Sequence, residues 1–220
     1  MGLYIQDVKR YFGLNNLDQK IEKYLNYDNG FFVELGANNG VHQSNTLYFE
    51  KYRGWQGILI EPILHNYLIC RQNRSSKNKF FCNACTSFEY DEKFVEIIYS
   101  NLMSVPVGLE TDISDPSEHA REGRQFLQHF EENVSFGAVA KTLNQILIDA
   151  EAPKIMDFLS LDVEGAEIEV LKGIDHDRFK FKYMCIENRN FDKLEQYMAC
   201  YDYVFVENLS HWDYLFALKN

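Results

Sequence analysis

An acid followed by two glycines four residues apart is the pattern with the clearest chemical meaning in this chain. Residues 31–40 form an apolar run that ends in Glu34 and continues through Gly36 to Gly40. Such a run predicts a buried strand, and glycines in the following turn permit a positive φ and let a ligand approach the backbone. A helix is expected to begin near Val41, with its free N–H groups facing that ligand. The spacing predicts a ligand-binding turn.

A second acid, Glu61, ends the next strand-like run at 57–61. A carboxylate in this position can accept hydrogen bonds from both hydroxyls of a ribose. The first turn lacks the middle glycine of the dinucleotide fingerprint, and Glu34 would repel a pyrophosphate but attract an ammonium group. The turn and the acid together favour an aminoacyl nucleoside such as S-adenosylmethionine over NAD.

Two later strand-like runs also end in acids. Asp162 follows the run 156–161, and Glu187 follows the run 183–186. Ligands of parallel α/β sheets bind outside the carboxyl ends of the strands. We therefore expect these acids to join Glu34 and Glu61 at one edge of one sheet.

The elements that must position these residues alternate between strand and helix. Alternation predicts a mainly parallel α/β sheet with helices on both faces. The helix after the first strand is predicted over 41–52, and the last two strands are joined by a link too short for a helix, which predicts an antiparallel hairpin. The predicted strands are 31–35, 57–61, 79–82, 156–161, 183–186, 203–206 and 214–218, with a further β-like segment over 94–99.

Two regions fall outside this alternation. Residues 1–28 have the pattern of short N-terminal helices, and residues 100–135 show no clear period apart from a helix start at Asp115-Pro116. An irregular insertion of this size is usually a lid or a binding loop. We expect a single domain over 1–220, with 100–135 as a lid or substrate insertion.

Composition argues against several classes of function. The net charge of −11 argues against a nucleic-acid partner or an anionic membrane surface. No run approaches the ~18 apolar residues that a membrane span needs, and the first residues lack a signal-peptide core. The five cysteines indicate reduced thiols, and Cys82 and Cys85 have no second CxxC with which to hold zinc. We expect a cytoplasmic protein with ordinary thiols; the sequence does not indicate its oligomeric state.

Four blocks of the chain resemble FkbM-type methyltransferases, in the order of that family: 32–40, 43–46, 55–62 and 159–167. The more specific part is Asp162-Val163-Glu164-Gly165 with Glu187 after the next strand, because the glycine turn is generic to class I methyltransferases. The resemblance covers roughly 30–190. It implies the Rossmann-like class I fold, with a seven-stranded, mostly parallel sheet that has one antiparallel strand. It also implies S-adenosylmethionine as the cofactor and methyl transfer to a hydroxyl of a small molecule or carbohydrate.

Pattern and resemblance together assign the site. Catalysis is assigned to Asp162, Glu164 and Glu187. Cofactor binding is assigned to Glu34, Gly36, Ala37, Asn38, Gly40, Asn45, Glu61, Pro62, Asn83, Ala84 and Asp162.

Several of these residues have structural alternatives. Glu34 could instead cap local N–H groups, and Asn83-Ala84 could form a simple turn. His42 is more typical of a helix start or a pocket wall than of a catalytic role. The remaining histidines singled out, His119, His129, His176 and His211, are expected at the surface or in packing.

A divalent cation is a second candidate cofactor. In catechol-type relatives of the fold, an acid after the fourth strand and an acid–Asn pair after the fifth hold such a cation. Asp162, Glu187 and Asn188 are similar, but Glu in place of Asp shifts the oxygen by about one methylene, and we prefer the metal-free alternative. Asp162 would then contact the methionine moiety or help to remove the substrate proton.

Two other functions are compatible with the pattern. A non-catalytic binding module could use the same scaffold, because a fold does not determine a function. A nicotinamide oxidoreductase shares the strand–turn–helix arrangement, although the missing middle glycine argues against it.

Overall fold

The computed structural model describes residues 10–219, which form two sheets and seven α-helices. The strands are β1 (Phe31–Leu35), β2 (Gln56–Ile60), β3 (Lys79–Phe81), β4 (Ala84–Thr86), β5 (Phe94–Ile98), β6 (Val105–Val107), β7 (Ser135–Thr142), β8 (Ile155–Leu161), β9 (Lys180–Glu187), β10 (Tyr203–Asn208) and β11 (Asp213–Leu218). The helices are α1 (Leu17–Glu22), α2 (Leu47–Arg53), α3 (Leu64–Asn73), α4 (Pro116–Glu122), α5 (Leu143–Asp149), α6 (Glu167–Leu171) and α7 (Phe191–Ala199).

The larger sheet has seven strands in the order β10-β11-β9-β8-β1-β2-β3. Its central pairs, β1 with β2 and β8, β2 with β3, and β8 with β9, are parallel. Strand β11 is antiparallel to both β9 and β10, so the predicted hairpin at the end of the chain is confirmed. The carboxyl ends of β1, β2, β8 and β9 therefore meet at one edge of this sheet.

A second sheet, in the order β4-β7-β5-β6, was not predicted. Strand β5, the expected β-like segment, pairs antiparallel with both β6 and β7. The region 100–135 contributes β6 and α4, and it is more regular than the sequence suggested. The reason is pairing: Val105–Val107 is too short to show a period, and it becomes a strand only because β5 lies beside it.

Helices cover both faces of the larger sheet, as predicted. Side chains alternate between the faces of a strand, so neighbours in β1 enter different cores. Phe32 packs in one core with residues of α1, α2 and α3, such as Ile21, Phe49 and Cys70. Val33 packs in the other core with residues of α5, α6 and α7, namely Ile146, Leu147, Val170, Leu171, Leu194 and Met198.

The predicted helix over 41–52 is wrong at its start, because α2 begins at Leu47. Residues 41–46 instead form a loop in which Gln43 has φ 60°. The Glu34 carboxylate fixes this loop by accepting hydrogen bonds from Ser44 Oγ, Asn45 N and Thr46 Oγ1. These side-chain bonds compete with a helical backbone.

The N-terminal prediction is borne out in part. Helix α1 and a preceding 3-10 turn at Leu14–Asn16 lie within 1–28, whereas residues 1–9 lie outside the described part of the chain. Among residues 10–219, no helix has the length and apolar character needed to cross a membrane. The single domain over 1–220 stays a prediction.

A buried cation joins α3 to β1 and α2. The Arg74 side chain is 0% exposed; its Nη1 lies 3.1 Å from Glu34 Oε2, and its Nε lies 2.8 Å from Glu50 Oε2. Nη2 also donates to Thr46 Oγ1 at 2.9 Å. A buried charge of this kind is stable only while its partners are present.

We predict that Arg74→Met lowers the free energy of unfolding by about 3–5 kcal/mol, because it leaves Glu34 buried without its cation. Urea denaturation would measure this loss. Arg121→Met is the matched control: Arg121 pairs with Glu118, but the two side chains are 66% and 44% exposed, and such pairs add little stability. Equal midpoints for the two variants would contradict the prediction.

Candidate cofactor and active site

A cavity of about 370 Å³ lies at the carboxyl ends of the parallel strands. One wall follows the sheet edge: 36–38 after β1, 61–63 after β2, and 162–164 after β8, with Glu187 at the end of β9. The opposite wall comes from the second sheet and its connections, with Ile97, Asn101, Leu102, Met103, Ser104, Pro106, Leu109, His119 and Phe126. The region predicted as a lid or substrate insertion thus lines the cavity, and its closure stays a prediction.

Gly36 is required by the shape of the cavity edge. Its φ is 74°, and a Cβ built on it would lie 2.0 Å from the carbonyl oxygen of Asp162. Any side chain would push the turn after β1 away from the loop after β8. Gly40 also has a positive φ of 79°, but a Cβ there would meet Cys70 and Arg74, so it serves packing behind the cavity.

Glu61 is a buried carboxylate fixed by the backbone. Its Oε2 accepts from Asn38 N at 2.8 Å, and its Oε1 accepts from Ile63 N at 2.9 Å. Burial raises the pKa of Glu61 to about 7, although these two bonds oppose the shift. Each oxygen keeps acceptor capacity beyond the bond it makes. The cavity thus contains a preorganised acceptor for two hydroxyl groups.

Three residues assigned to cofactor binding do not line the cavity: Glu34, Gly40 and Asn45. Glu34 is 4% exposed, and its carboxylate accepts hydrogen bonds from Arg74 and from the 44–46 loop. Asn45 Nδ2 donates to Ser160 Oγ at 3.0 Å. The geometry favours the structural alternative for Glu34. The other assigned residues all line the cavity: Gly36, Ala37, Asn38, Glu61, Pro62, Asn83, Ala84, Asp162, Glu164 and Glu187.

Asn83 and Ala84 stand on the wall between the two sheets. Asn83 Nδ2 donates to the carbonyl of Val139 at 3.1 Å, which ties the end of β3 to β7. Cys82 and Cys85 on either side are free thiols, and Cys85 is buried beside the cavity, in agreement with ordinary thiols. His42 is exposed and lines the wall, which agrees with its interpretation as a pocket-wall residue.

Three carboxylates converge after β8 and β9. One oxygen from each of Asp162, Glu167 and Glu187 lies within 4.8 Å of the others. Burial, and then the nearby Asp162 charge, raise the pKa of Glu187. Such a group could hold a hard cation. The Arg189 guanidinium, 3.6 Å from Glu187, already supplies positive charge there.

Glu167 was missed by sequence reasoning. Its Oε1 accepts from the backbone N–H groups of Val163 and Gly165 at 3.0 Å each, and burial raises its pKa to about 8. It therefore holds the 162–166 loop in place. Asn188, the expected third partner, instead caps Asn190 N at 2.9 Å. An acid five residues after Asp162 was the available signal, but spacing alone does not show that a loop folds back.

Sequence reasoning also missed His119 as a residue of the cavity. The expectation of a surface or packing role for it is wrong. It lines the cavity, and its Nε2 lies 2.9 Å from Glu164 Oε2. Arg189 Nη2 donates to the same oxygen at 3.2 Å. His119 and Glu164 are 45 residues apart in the chain, so no local pattern could have paired them.

The chain matches a known protein family. The family model of the methyltransferase FkbM domain matches residues 34–215. No curated protein sequence matches the chain.

Two solved structures match the chain over most of its length. One is a proposed RNA methyltransferase from Pyrococcus horikoshii, at 12% identity and a TM-score of 0.43, over 93% of this chain and 81% of that one. The other is a human methyltransferase 10 domain-containing protein, at 11% identity and a TM-score of 0.47, over 92% and 81%. The family match covers most of the chain, and the chain belongs to the FkbM methyltransferase family.

Proposed function

We propose that the protein transfers a methyl group from S-adenosylmethionine to a hydroxyl oxygen of a small molecule or carbohydrate. The observation that carries this proposal is the buried Glu61 carboxylate, which two backbone N–H groups hold at the cavity wall. A buried acceptor in this place suits the ribose hydroxyls of a nucleoside. Family membership supports the transfer of a methyl group.

The residues present fit such a cofactor. The turn at 36–38 lines the cavity, so a ligand can lie against its backbone there. Glu61 would hold the ribose, Asn83 would face the base, and the exposed Asp162 carboxylate would face the cationic methionine end. When bound, S-adenosylmethionine supplies an activated methyl group. The protein's own part is to orient the acceptor oxygen, exclude water and take up the proton that is lost.

The wall formed by the second sheet favours an acceptor without an anionic group. Six of the cavity residues from this region are apolar: Ile97, Leu102, Met103, Pro106, Leu109 and Phe126. Among the described residues that line the cavity, Arg189 is the only Arg or Lys, and Asp112, Glu164 and Glu187 surround its guanidinium. A phosphate or carboxylate would meet these acids without a free cation.

Calorimetry tests the class of the protein. Binding of S-adenosylhomocysteine without binding of NADH, followed by transfer of labelled methyl to an alcohol in an acceptor panel, is the expected result. Binding of S-adenosylhomocysteine without transfer of labelled methyl to any acceptor would indicate a binding module. Binding of NADH in its place would indicate an oxidoreductase.

We predict that Glu61→Ala weakens binding of S-adenosylhomocysteine at least tenfold. Two hydrogen bonds to a charged acceptor are worth roughly 1.5–3 kcal/mol each. Titration calorimetry would measure the dissociation constant, and circular dichroism would verify folding. Glu96→Ala is the control, since Glu96 is exposed on β5 and does not line the cavity. An unchanged constant in a folded Glu61→Ala protein would remove Glu61 from the site.

The same residue predicts a pH dependence. The pKa of Glu61 is raised to about 7, so lowering the pH from 8 to 6 protonates the carboxyl group before the ligand binds. A protonated carboxyl group is a poorer acceptor, so S-adenosylhomocysteine should bind more weakly at pH 6. In Glu61→Gln the affinity should be low and should vary much less across this range. Equal pH profiles for the wild type and this variant would contradict the assignment.

We predict that Asp162→Asn weakens cofactor binding and that EDTA has no effect on turnover. The reason is that Asp162 faces the positive end of the cofactor, where the loss of a carboxylate removes an attraction. Calorimetry and labelled methyl transfer, each with and without EDTA, measure these effects. Reversible inhibition by EDTA, together with unchanged cofactor affinity in Asp162→Asn, would favour a cation instead. Full activity of Asp162→Asn would exclude both roles.

A further inference from the structure

We propose that His119 is the catalytic base that removes the proton of the acceptor hydroxyl, and that Glu164 is the residue that positions it. This inference rests on the proposed O-methyl transfer. It deepens that proposal by assigning a proton acceptor from the wall that faces the acceptor.

The pair bridges the two walls of the cavity. His119 lies on α4, in the region inserted between the strands of the second sheet, and Glu164 lies in the loop between β8 and α6. Nε2 of His119 is 2.9 Å from Oε2 of Glu164, and the two side chains are only 11% and 16% exposed. Both residues line the cavity. An imidazole therefore stands at the cavity wall with a carboxylate directly behind one nitrogen.

Glu164 is itself held firmly. Arg189 Nη2 donates to its Oε2 at 3.2 Å, and the Arg189 guanidinium stacks 4.9 Å from the centre of the Trp212 ring. The backbone N–H of Arg189 donates to Asp112 Oδ2 at 2.6 Å. Glu164 has φ 54°, an uncommon value for a residue other than glycine, and such conformations persist where the surroundings fix them. Arg189 thus fixes the orientation of the carboxylate, and Asp112 and Trp212 in turn hold Arg189 in place.

This arrangement selects a tautomer of His119. Burial raises the pKa of Glu164, whereas its contacts with His119 and Arg189 lower it. While the carboxylate is ionised it only accepts hydrogen bonds, so the nitrogen that faces Glu164 must then carry the hydrogen. Nε2 is then the donor, and Nδ1 keeps its lone pair. Within residues 10–219, no side chain or backbone group makes a hydrogen bond with Nδ1. The free lone pair is the feature that a general base requires.

The proton balance of the reaction is complete with this base. The acceptor O–H bond breaks, and its proton passes to Nδ1. The oxygen electron pair forms the bond to the methyl carbon, and the electrons of the carbon–sulfur bond leave with the sulfur. The products are the methyl ether, S-adenosylhomocysteine and an imidazolium next to the Glu164 carboxylate, which stabilises the new positive charge. The imidazolium then releases its proton to water.

The charges around His119 are consistent with this role. Glu164 contacts the imidazole directly. Arg189 donates a hydrogen bond to Glu164, and the charges of Arg189 and Asp162 act on the carboxyl group of Glu164. Of the strands that pack against α4, β6 carries no charged residue and β5 carries only the exposed Glu96. The 3-10 turn that follows α4, Gly123–Phe126, contributes Arg124, whose Nε donates to Asn133 Oδ1. Glu164 is therefore the charged group that contacts the imidazole.

Kinetics test the base. In His119→Gln the amide can still donate to Glu164 but cannot take up a proton, so single-turnover methyl transfer should fall about 10²–10⁴-fold. The dissociation constant of S-adenosylhomocysteine should stay within about twofold of the wild type. His129→Gln is the matched control, since His129 is exposed in the same region and should leave the rate unchanged. A full rate in His119→Gln, in a protein that transfers methyl groups, would overturn the proposal.

The pH–rate profile tests Glu164. The wild-type rate should rise with pH as the imidazole loses its proton, and this limb should disappear in His119→Gln. In Glu164→Gln the pH dependence should differ from that of the wild type, because the imidazolium loses its counter-charge. Identical pH profiles for Glu164→Gln and the wild type would show that Glu164 does not position or stabilise the base.

Nitrogen-15 NMR of the histidine rings tests the tautomer without an acceptor. With S-adenosylhomocysteine present, the expected signal is a protonated Nε2 and an unprotonated Nδ1 for His119, assigned by its loss in His119→Gln. A protonated Nδ1 in the neutral ring would overturn the proposal. If the wild type transfers no methyl group to any alcohol, the proposed function fails, and the inference fails with it even where the tautomer is as expected.

Discussion

The contact between Arg74 and Glu34 is the interaction on which the rest of the site depends. It links the end of α3 to β1 and the 41–46 loop, where Arg74 and Glu34 are both buried, and Glu50 of α2 accepts a hydrogen bond from Arg74 Nε. Taking such ions out of water is costly, so the arrangement persists only with all partners in place. Arg74 Nη1 also donates to the carbonyl of Gly40 at 3.2 Å, at the end of the turn that begins at Gly36. The network therefore holds this turn, although neither Arg74 nor Glu34 lines the cavity.

The acids at and after the strand ends have different surroundings in the folded protein, although they look equivalent in the sequence. Glu34 is neutralised by Arg74, and Glu61 and Glu167 are each fixed by two backbone N–H groups. The Glu164 carboxylate contacts His119 Nε2 and accepts a hydrogen bond from Arg189 Nη2. Asp162 is the acid of this group that stands exposed in the cavity. Environment, rather than residue type, thus separates structural carboxylates from those available to a ligand.

The two sheets line different parts of the cavity. The edge of the seven-stranded sheet supplies polar and acidic groups on short loops, where rigid strands hold them. The second sheet supplies the apolar wall and His119, from a region without counterpart in the strand–helix alternation. The two parts of the cavity can therefore vary independently, because separate segments of the chain build them.

The sequence by itself determined the seven strands of the larger sheet in their order along the chain, its parallel centre with the final hairpin, and the positions of Gly36, Glu61 and Asp162 at strand ends. These features depend on local patterns: apolar runs, turn glycines and side-chain alternation act over a few residues. Only the tertiary structure decided that Glu34 is paired with a cation 40 residues away. It also brought β4 to β7 into a second sheet, folded Glu167 back under its own loop and placed His119 against Glu164. Those contacts join residues that are far apart in the chain or lie in irregular loops, so no periodic sequence pattern predicts them. Their energies depend on burial, which arises only once the chain has folded.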